Sequence, residues 1–239
     1  MKRLELSLPT LAENVALDEA LLESAEADDA APNVLRIWES PEIGVVLGRS
    51  SPAGQETRLE KLKASGARIV RRTSGGAAVV VGPGCLMYSV ILRVAQQPGV
   101  FAIDVAHKVV LETMVAALTR LVPGVAREGT SDLAWNGRKI SGNSLQVKRR
   151  NVLYHGTLLY DFPLDRVAEL LDFAPRQPAY RAGRGHRDFV TNFPASGEAI
   201  RQALRAAWAA EEPLADWPVA RTAELVAEKY GRDDWTFAR

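Results

Sequence analysis

Leu133-Ala134-Trp135-Asn136-Gly137-Arg138-Lys139-Ile140-Ser141-Gly142-Asn143 is the stretch that decides the fold. Asn-Gly between two partly apolar runs suits a two-residue hairpin turn, whose central residues both need φ > 0. The reading gives a strand through residues 133–135, a second over 138–147 and a third over 152–160, after the basic Lys148-Arg149-Arg150 connection. In this register Trp135 faces Arg138, Ala134 faces Lys139 and Asp132 faces Ser141. The two-residue period then puts Lys139, Ser141 and Asn143 on one face and Leu133 and Ile140 on the other. Asp132 is expected diagonally from Lys139, about 7–8 Å away. A strand with a wholly polar face is either solvent-exposed or lines a pocket, and lysines mostly sit outside.

Working outward, residues 4–8 alternate as a strand and run into Thr10-Leu11-Ala12-Glu13, a capping box that opens a helix. That helix carries Leu11, Val15 and Leu22 on one side. Residues 34–38 and 43–47 read as strands, residues 56–64 as a polar helix stopped by Gly66, and residues 67–71 as a strand leading into a Gly-rich segment. Residues 86–92 form a continuous apolar run, hence a buried strand. Residues 101–122 make a long helix with Ile103, Val110, Met114, Ala117, Leu118 and Leu121 as its apolar face, ended by Pro123-Gly124. Shorter helices are expected at 164–171, 198–210 and 220–230. Residues 175–187, rich in Arg, Gly and Pro, read as a long surface loop of the kind that carries function. The expectation is a single α+β domain over residues 1–239, with a mixed, largely antiparallel sheet flanked by helices and no C-terminal accessory domain.

Composition narrows the function. With 239 residues and 47% hydrophobic content, the chain can bury a real core. Lys+Arg minus Asp+Glu is 30 − 29 = +1, which argues against a nucleic-acid partner. The single Cys85 cannot form an internal disulfide, and His107, His155 and His186 lack ligand spacing. The start of the chain turns acidic before any apolar run forms, and no stretch of about 18 apolar residues exists for a membrane span. A cytoplasmic protein is expected, without membrane or nucleic-acid contacts.

Two more segments carry chemistry. Arg71-Arg72-Thr73-Ser74-Gly75-Gly76-Ala77-Ala78-Val79 combines glycines, which allow close backbone approach, with cations suited to a carboxylate or phosphate. It is neither a P-loop nor a dinucleotide fingerprint, and on local sequence it reads equally as a hairpin turn with solvated arginines. In Tyr154-His155-Gly156-Thr157 a glycine inside a strand marks close approach of a ligand or another backbone. Whether His155 shares a face with Lys139 depends on a register the sequence leaves open. No Ser-His-Asp or Cys-His set is read from the sequence.

In order, R-R-x-S-G-G, S-D-L, G-R-K-I-S-G-N and Y-H-G-T-L-L resemble the lipoate–protein ligase family, within the biotin/lipoate ligase and octanoyltransferase superfamily. The resemblance extends to N-V-A-L-D-E (14–19), Gly48-Arg49, R-D-F-V-T-N (187–192) and A-E-K-Y (227–230) followed by Asp234-Trp235. It implies ATP-dependent activation of lipoate to lipoyl-AMP, then transfer to a lysine of a lipoyl carrier domain or a glycine-cleavage H-like protein. By position it implies Lys139 as the catalytic amine beside the reacting carbonyl. Asp132 would act with it, hold Mg²⁺ with phosphate, or orient the incoming amine. Binding residues so implied are Arg71, Ser74, Gly75, Gly76, Ala77, Ala78, Val79, Ser141, Gly142, His155, Gly156 and Thr157. Val45, Leu47, Val79 and Tyr88 are the expected walls of an apolar slot for the acyl chain.

The sequence departs from the family in three places. Ala77 replaces a usual third glycine, Val80-Val81-Gly82 replaces an aromatic-His-Asp segment, and the chain ends near Trp235, which leaves room for a separate accessory-domain subunit. Two alternatives stay open. One is an ATP-independent octanoyl/lipoyl transferase working through a Cys thioester. Here 123–131 holds no Cys, and Cys85 begins an apolar strand where an inert thiol is expected. The other is a non-catalytic binder of lipoyl or acyl-carrier proteins. A biotin ligase fits less well, because its basic G-R-G-R-x-G-R loop is absent.

Overall fold

A computed structural model describes residues 1–97 and 99–239. The Asn136-Gly137 hairpin forms as read, both residues having positive φ (50° and 72°). It joins β8 (Asp132–Trp135) to β9 (Arg138–Val147), which pairs in turn with β10 (Asn151–Leu159). The other strands are β1 (Lys2–Glu5), β2 (Val34–Glu39), β3 (Gly44–Leu47), β4 (Arg68–Arg71), β5 (Val79–Val81), β6 (Cys85–Arg93), β7 (Val125–Glu128) and β11 (Glu212–Pro213). The helices are α1 (Leu11–Ala27), α2 (Ala53–Glu56), α3 (Leu59–Ser65), α4 (Ile103–Thr119), α5 (Asp165–Leu170), α6 (His186–Phe189), α7 (Gly197–Ala207), α8 (Val219–Leu225) and α9 (Asp233–Thr236). Eight strands form one sheet in the order β11-β1-β2-β6-β10-β9-β8-β7, parallel only where β1 meets β2 and β11. A small sheet, β4-β3-β5, stands beside it. The fold is therefore mixed α+β and largely antiparallel, as expected.

Side-chain parity along β6 and β10 divides the core. Leu86, Tyr88, Val90 and Leu92, with Val152, Tyr154 and Leu158, turn towards α4 and α7. Cys85, Met87 and Leu159 turn the other way, towards the small sheet and α5. Ile91 and Leu153 pack on α1. Helix α1 opens with the predicted capping box, Thr10 and Glu13 satisfying each other's backbone donors, and is buried on most sides.

Several boundaries differ from the sequence reading. The first strand occupies Lys2–Glu5 rather than 4–8. The polar helix at 56–64 is two helices, α2 and α3, broken where Thr57 bridges Leu171. Ile103 is 60% exposed, because α4 meets the sheet only from Ala106 onward. The hairpin also slips: Ala134 pairs with Lys139, but Leu133 pairs with Ser141 and Asp132 with Gly142, leaving Ile140 as an extra residue. This bulge keeps Ile140 in the core beside Leu133, both fully buried, a burial that contributes about 1.5–3 kcal/mol per side chain. No helix among the described residues is long and apolar enough to cross a membrane.

Candidate active site

β8, β9 and β10, with the Gly-rich turn between β4 and β5, border a cavity of about 310 Å³. A second, more apolar cavity adjoins it and shares Ala77, Ala78, Val79, Lys139, Gly142 and Thr157. Lys139 stands at their junction. The bulge brings its Nζ to 2.8 Å from Asp132 Oδ1, an ion pair rather than a diagonal neighbour. The Tyr180 hydroxyl donates to the other Asp132 oxygen at 2.8 Å, and burial, then the Asp132 charge, raises the Tyr180 pKa. A Cβ built on Gly142 would lie 3.0 Å from Lys139 Nζ, so a larger residue there would press on the amine. Asn143 donates to the Ser131 carbonyl at 2.7 Å and accepts from Tyr88 at 2.5 Å, fixing the start of β8. Gly156 leaves room for it: a Cβ there would fall 1.8 Å from Asn143 Oδ1.

The consecutive arginines separate, because neighbours leaving a strand point to opposite sides. Arg72 Nε donates to Ser74 Oγ at 3.0 Å, and its Nη2 to the carbonyls of Gly75 at 2.5 Å and Ala77 at 3.0 Å. Burial lowers its pKa to about 10, which leaves it charged at neutral pH. With these carbonyls pulled inward, the exposed amides of Gly75, Gly76 and Ala77 have no partner among the described residues. Successive free amides of this kind form an anion-binding nest. Gly76 takes φ +81° while Ala77 stays at negative φ, so alanine fits without strain.

Arg71 belongs elsewhere. It is buried and donates to the carbonyls of Gly48 and Ser51 at 2.8 Å each and of Thr236 at 2.9 Å, away from both cavities. The arginine on the cavity wall is Arg72. Ser74 is likewise withdrawn, whereas Ala77, Ala78, Val79, Asp132, Lys139, Gly142, His155, Gly156 and Thr157 line the first cavity and Ser141 the second. The slot walls are off by one position: Val46 and Met87 face the cavity with Val79, while Val45, Leu47 and Tyr88 point into the core.

His155 reveals a set the sequence reading denied. Its Nε2 lies 2.6 Å from Ser74 Oγ, and its Nδ1 lies 3.1 Å from Asp18 Oδ2. Asp18 pairs with Arg36 at 2.5 Å and accepts from Ser89 at 2.7 Å. Burial alone would raise the Asp18 pKa, yet Arg36, His155 and Ser89 hold it below the usual carboxylate range. This is a Ser-His-Asp order, but Ser74 is 1% exposed and lines neither cavity. Its oxygen accepts from Arg72, so the set ties the Gly-rich turn to the sheet and offers no nucleophile. The thiol of Cys85 is equally inert: burial, then Glu39, raises its pKa to about 12.

No group of three or more metal-ligating side chains exists among the described residues. Asp132 is the only carboxylate among the residues lining the first cavity. Its two oxygens are taken up by Lys139 Nζ and the Tyr180 hydroxyl, so it would hold a Mg²⁺ only in exchange for one of these contacts. The sequence reading missed Arg176, Gln177 and Pro178, which line both cavities, and Tyr180, all in the loop it had marked for function. It also missed Glu56, buried on the wall of the second cavity.

Residues 10–204 match the model of the lipoyl protein ligase A/B catalytic domain. The chain belongs to this family of enzymes. A protein of Aeropyrum pernix named as a lipoate-protein ligase A is 31% identical over 201 residues, 84% of this chain and 72% of the relative. The chain spans about half the length of the lipoate-protein ligase A relatives it matches in Mycoplasma genitalium and Mycoplasma pneumoniae, 46% and 45%. Among solved structures, a Thermoplasma acidophilum bipartite lipoate protein ligase, described with its E2 lipoyl domain, superposes with TM-score 0.84 at 22% identity. That match covers 99% of this chain and 95% of the other. A T. acidophilum lipoate protein ligase with bound lipoic acid gives TM-score 0.83 at 22% identity, covering 100% and 99%. A lipoate-protein ligase A bound with ATP gives 0.83 at 23%, covering 99% of each chain. At these identities the superpositions show the shared fold.

Proposed function

We propose that this protein activates lipoate with ATP and passes the lipoyl group to a lysine of a lipoyl carrier domain. The acyl chain enters the first cavity between Val46, Val79 and Met87, and the nucleoside enters the second. The observation that carries the reading is Lys139: one amine at the junction of the two cavities, which Ala77 and Ala78 of the Gly-rich turn also line. The lipoate carboxylate attacks the α-phosphorus of ATP, the bond to pyrophosphate breaks, and lipoyl-AMP forms. The carrier lysine amine then attacks the acyl carbonyl, and AMP leaves with the acyl C–O bond. Both steps concentrate negative charge on oxygens at the junction, where Lys139 stabilises it. Asp132 aligns Lys139 and takes part in orienting the incoming amine, and Mg²⁺ held by Asp132 and phosphate would add further charge neutralisation. The carrier is a lipoyl domain or an H-like protein, and the bipartite T. acidophilum relative supports a separate accessory subunit. A single catalytic domain over residues 1–239 is part of this proposal.

The fully buried, raised-pKa thiol of Cys85 disfavours the thioester-transferase alternative. The deciding experiment incubates a lipoyl domain with this protein, ATP, Mg²⁺ and free lipoate and weighs the domain by mass spectrometry. A gain of one lipoyl group that requires ATP supports the proposal. Modification without ATP, from an acyl-carrier donor, would move the protein to the transferase class. Carrier binding without any modification would make it a binder.

A further inference from the structure

Glu56 is a buried carboxylate to which the proposed mechanism gives no task. It is 6% exposed, at the end of α2, on the wall of the second cavity. Its Oε2 takes both hydrogen bonds that hold it, from Ser51 Oγ at 2.9 Å and from the Ala78 amide at 2.6 Å. Its Oε1 has no hydrogen-bond partner among the described residues, and Glu56 forms no ion pair there. Oε1 is not one of the side-chain atoms that are both fully buried and unpaired, so it is open to the cavity, where it can accept from a donor on a ligand.

The surroundings say which donor. The Glu56 carbonyl accepts from the Asp172 amide at 3.0 Å, and neighbouring Thr57 bridges Leu171. Glu56 shares the wall of that cavity with Val80, Val167 and Leu171. Flat apolar walls suit the faces of a heterocyclic base rather than a sugar or phosphate. We infer that Glu56 is a specificity-determining residue that accepts a hydrogen bond from the exocyclic amine of adenine and so selects ATP over 6-oxo purine triphosphates. The inference rests on the reading that the second cavity takes the nucleoside. A 6-oxo group would face the carboxylate oxygen acceptor to acceptor, and an unsubstituted C6 would leave it unpaired.

The test compares kcat/KM for lipoate-dependent pyrophosphate release with ATP, ITP, purine riboside triphosphate and 2′-deoxy-ATP, in the wild type and in Glu56→Gln. The wild type should rank ATP above purine riboside triphosphate and that above ITP, with ATP ahead of ITP by about tenfold or more. In Glu56→Gln the amide oxygen keeps the Ser51 and Ala78 bonds and the amide nitrogen faces the base, so the ATP/ITP ratio should fall about tenfold or invert. An unchanged ratio in the folded variant overturns the inference. So does a wild type that discriminates against 2′-deoxy-ATP but not ITP, which would place the contact on the ribose. If Glu56→Gln does not fold, a wild-type crystal structure with a non-hydrolysable ATP analogue decides. The amine should lie within about 3.2 Å of Glu56 Oε1, and an amine turned elsewhere refutes the assignment. Absence of release with every triphosphate would instead contradict the activation reading. Calorimetric binding of ATP against ITP would still report the base preference on its own.

Discussion

Two polar clusters flank the first cavity, and they are built differently. Asp18, His155 and Ser74, with Arg36 behind them, are all buried, and each charge meets an opposite charge or a hydrogen bond inside the protein. Lys139 stands at the junction of both cavities with Asp132 on the wall of the first and Tyr180 behind Asp132, and the Lys139 side chain keeps 25% of its exposure. The first cluster joins α1, β2, β10 and the Gly-rich turn, so losing a member leaves a buried charge unpaired. The second joins β8, β9 and the 175–187 loop, and its amine can exchange an internal partner for a ligand. Burial and closure mark a group that holds shape, whereas partial exposure at a cavity junction marks one that can meet substrate.

Breaking the closed cluster should have the largest effect. Asp18→Asn leaves the Arg36 guanidinium buried without its counter-charge and should cost about 3–5 kcal/mol of stability by urea denaturation. A loss below about 1 kcal/mol would show that the pair is not what ties the region together. The pair also gives an acid dependence. Because the folded Asp18 pKa lies below its ordinary value of 3.8, its contribution is fully present above that pH and is lost as pH falls towards the folded value. Stability measured across the acid limb should be flatter in Asp18→Asn than in the wild type.

Lys139→Ala should do the reverse. It should remove about 2–4 kcal/mol of transition-state stabilisation, a fall of roughly 30- to 1,000-fold in kcat/KM, with the fold intact by circular dichroism. A collapsed spectrum would return Lys139 to a structural role. Tyr180→Phe removes one hydrogen bond to Asp132 and should cost about 0.5–1.5 kcal/mol in kcat/KM. Activity equal to wild type would show that the loop does not act through Asp132. Smallest of all, Cys85→Ala should leave lipoyl transfer at the wild-type level, and in native protein the thiol should resist alkylation. Complete loss of transfer would revive the thioester route.

Much of this was legible in the chain. Asn136-Gly137 announced the hairpin, Thr10 and Glu13 the start of α1, and a 3.6-residue period most of α4. Lys139 and Asp132 were placed near each other from pairing alone. What stayed hidden has common physical causes. Period-two elements depend on parity, so one step exchanges Val46 and Met87 for Val45, Leu47 and Tyr88, and Arg72 for Arg71. The bulge at Ile140 arises from the core's demand for that side chain, which no local pattern announces. Asp18 and Ser74 lie 137 and 81 residues from His155, so their meeting is a tertiary fact. Tyr180 and Glu56 acquire meaning only once the loop and α2 close around the cavities.

The direct test of the central claim follows lipoyl-AMP itself, without any carrier domain. Wild type and Lys139→Ala are mixed with ATP, Mg²⁺ and lipoate, quenched, and the adenylate is quantified by mass spectrometry against the folded fraction. The account predicts rapid adenylate formation by the wild type and a loss of about 30-fold or more in a folded Lys139→Ala protein. Adenylate formed at the wild-type rate without the Lys139 amine would contradict it.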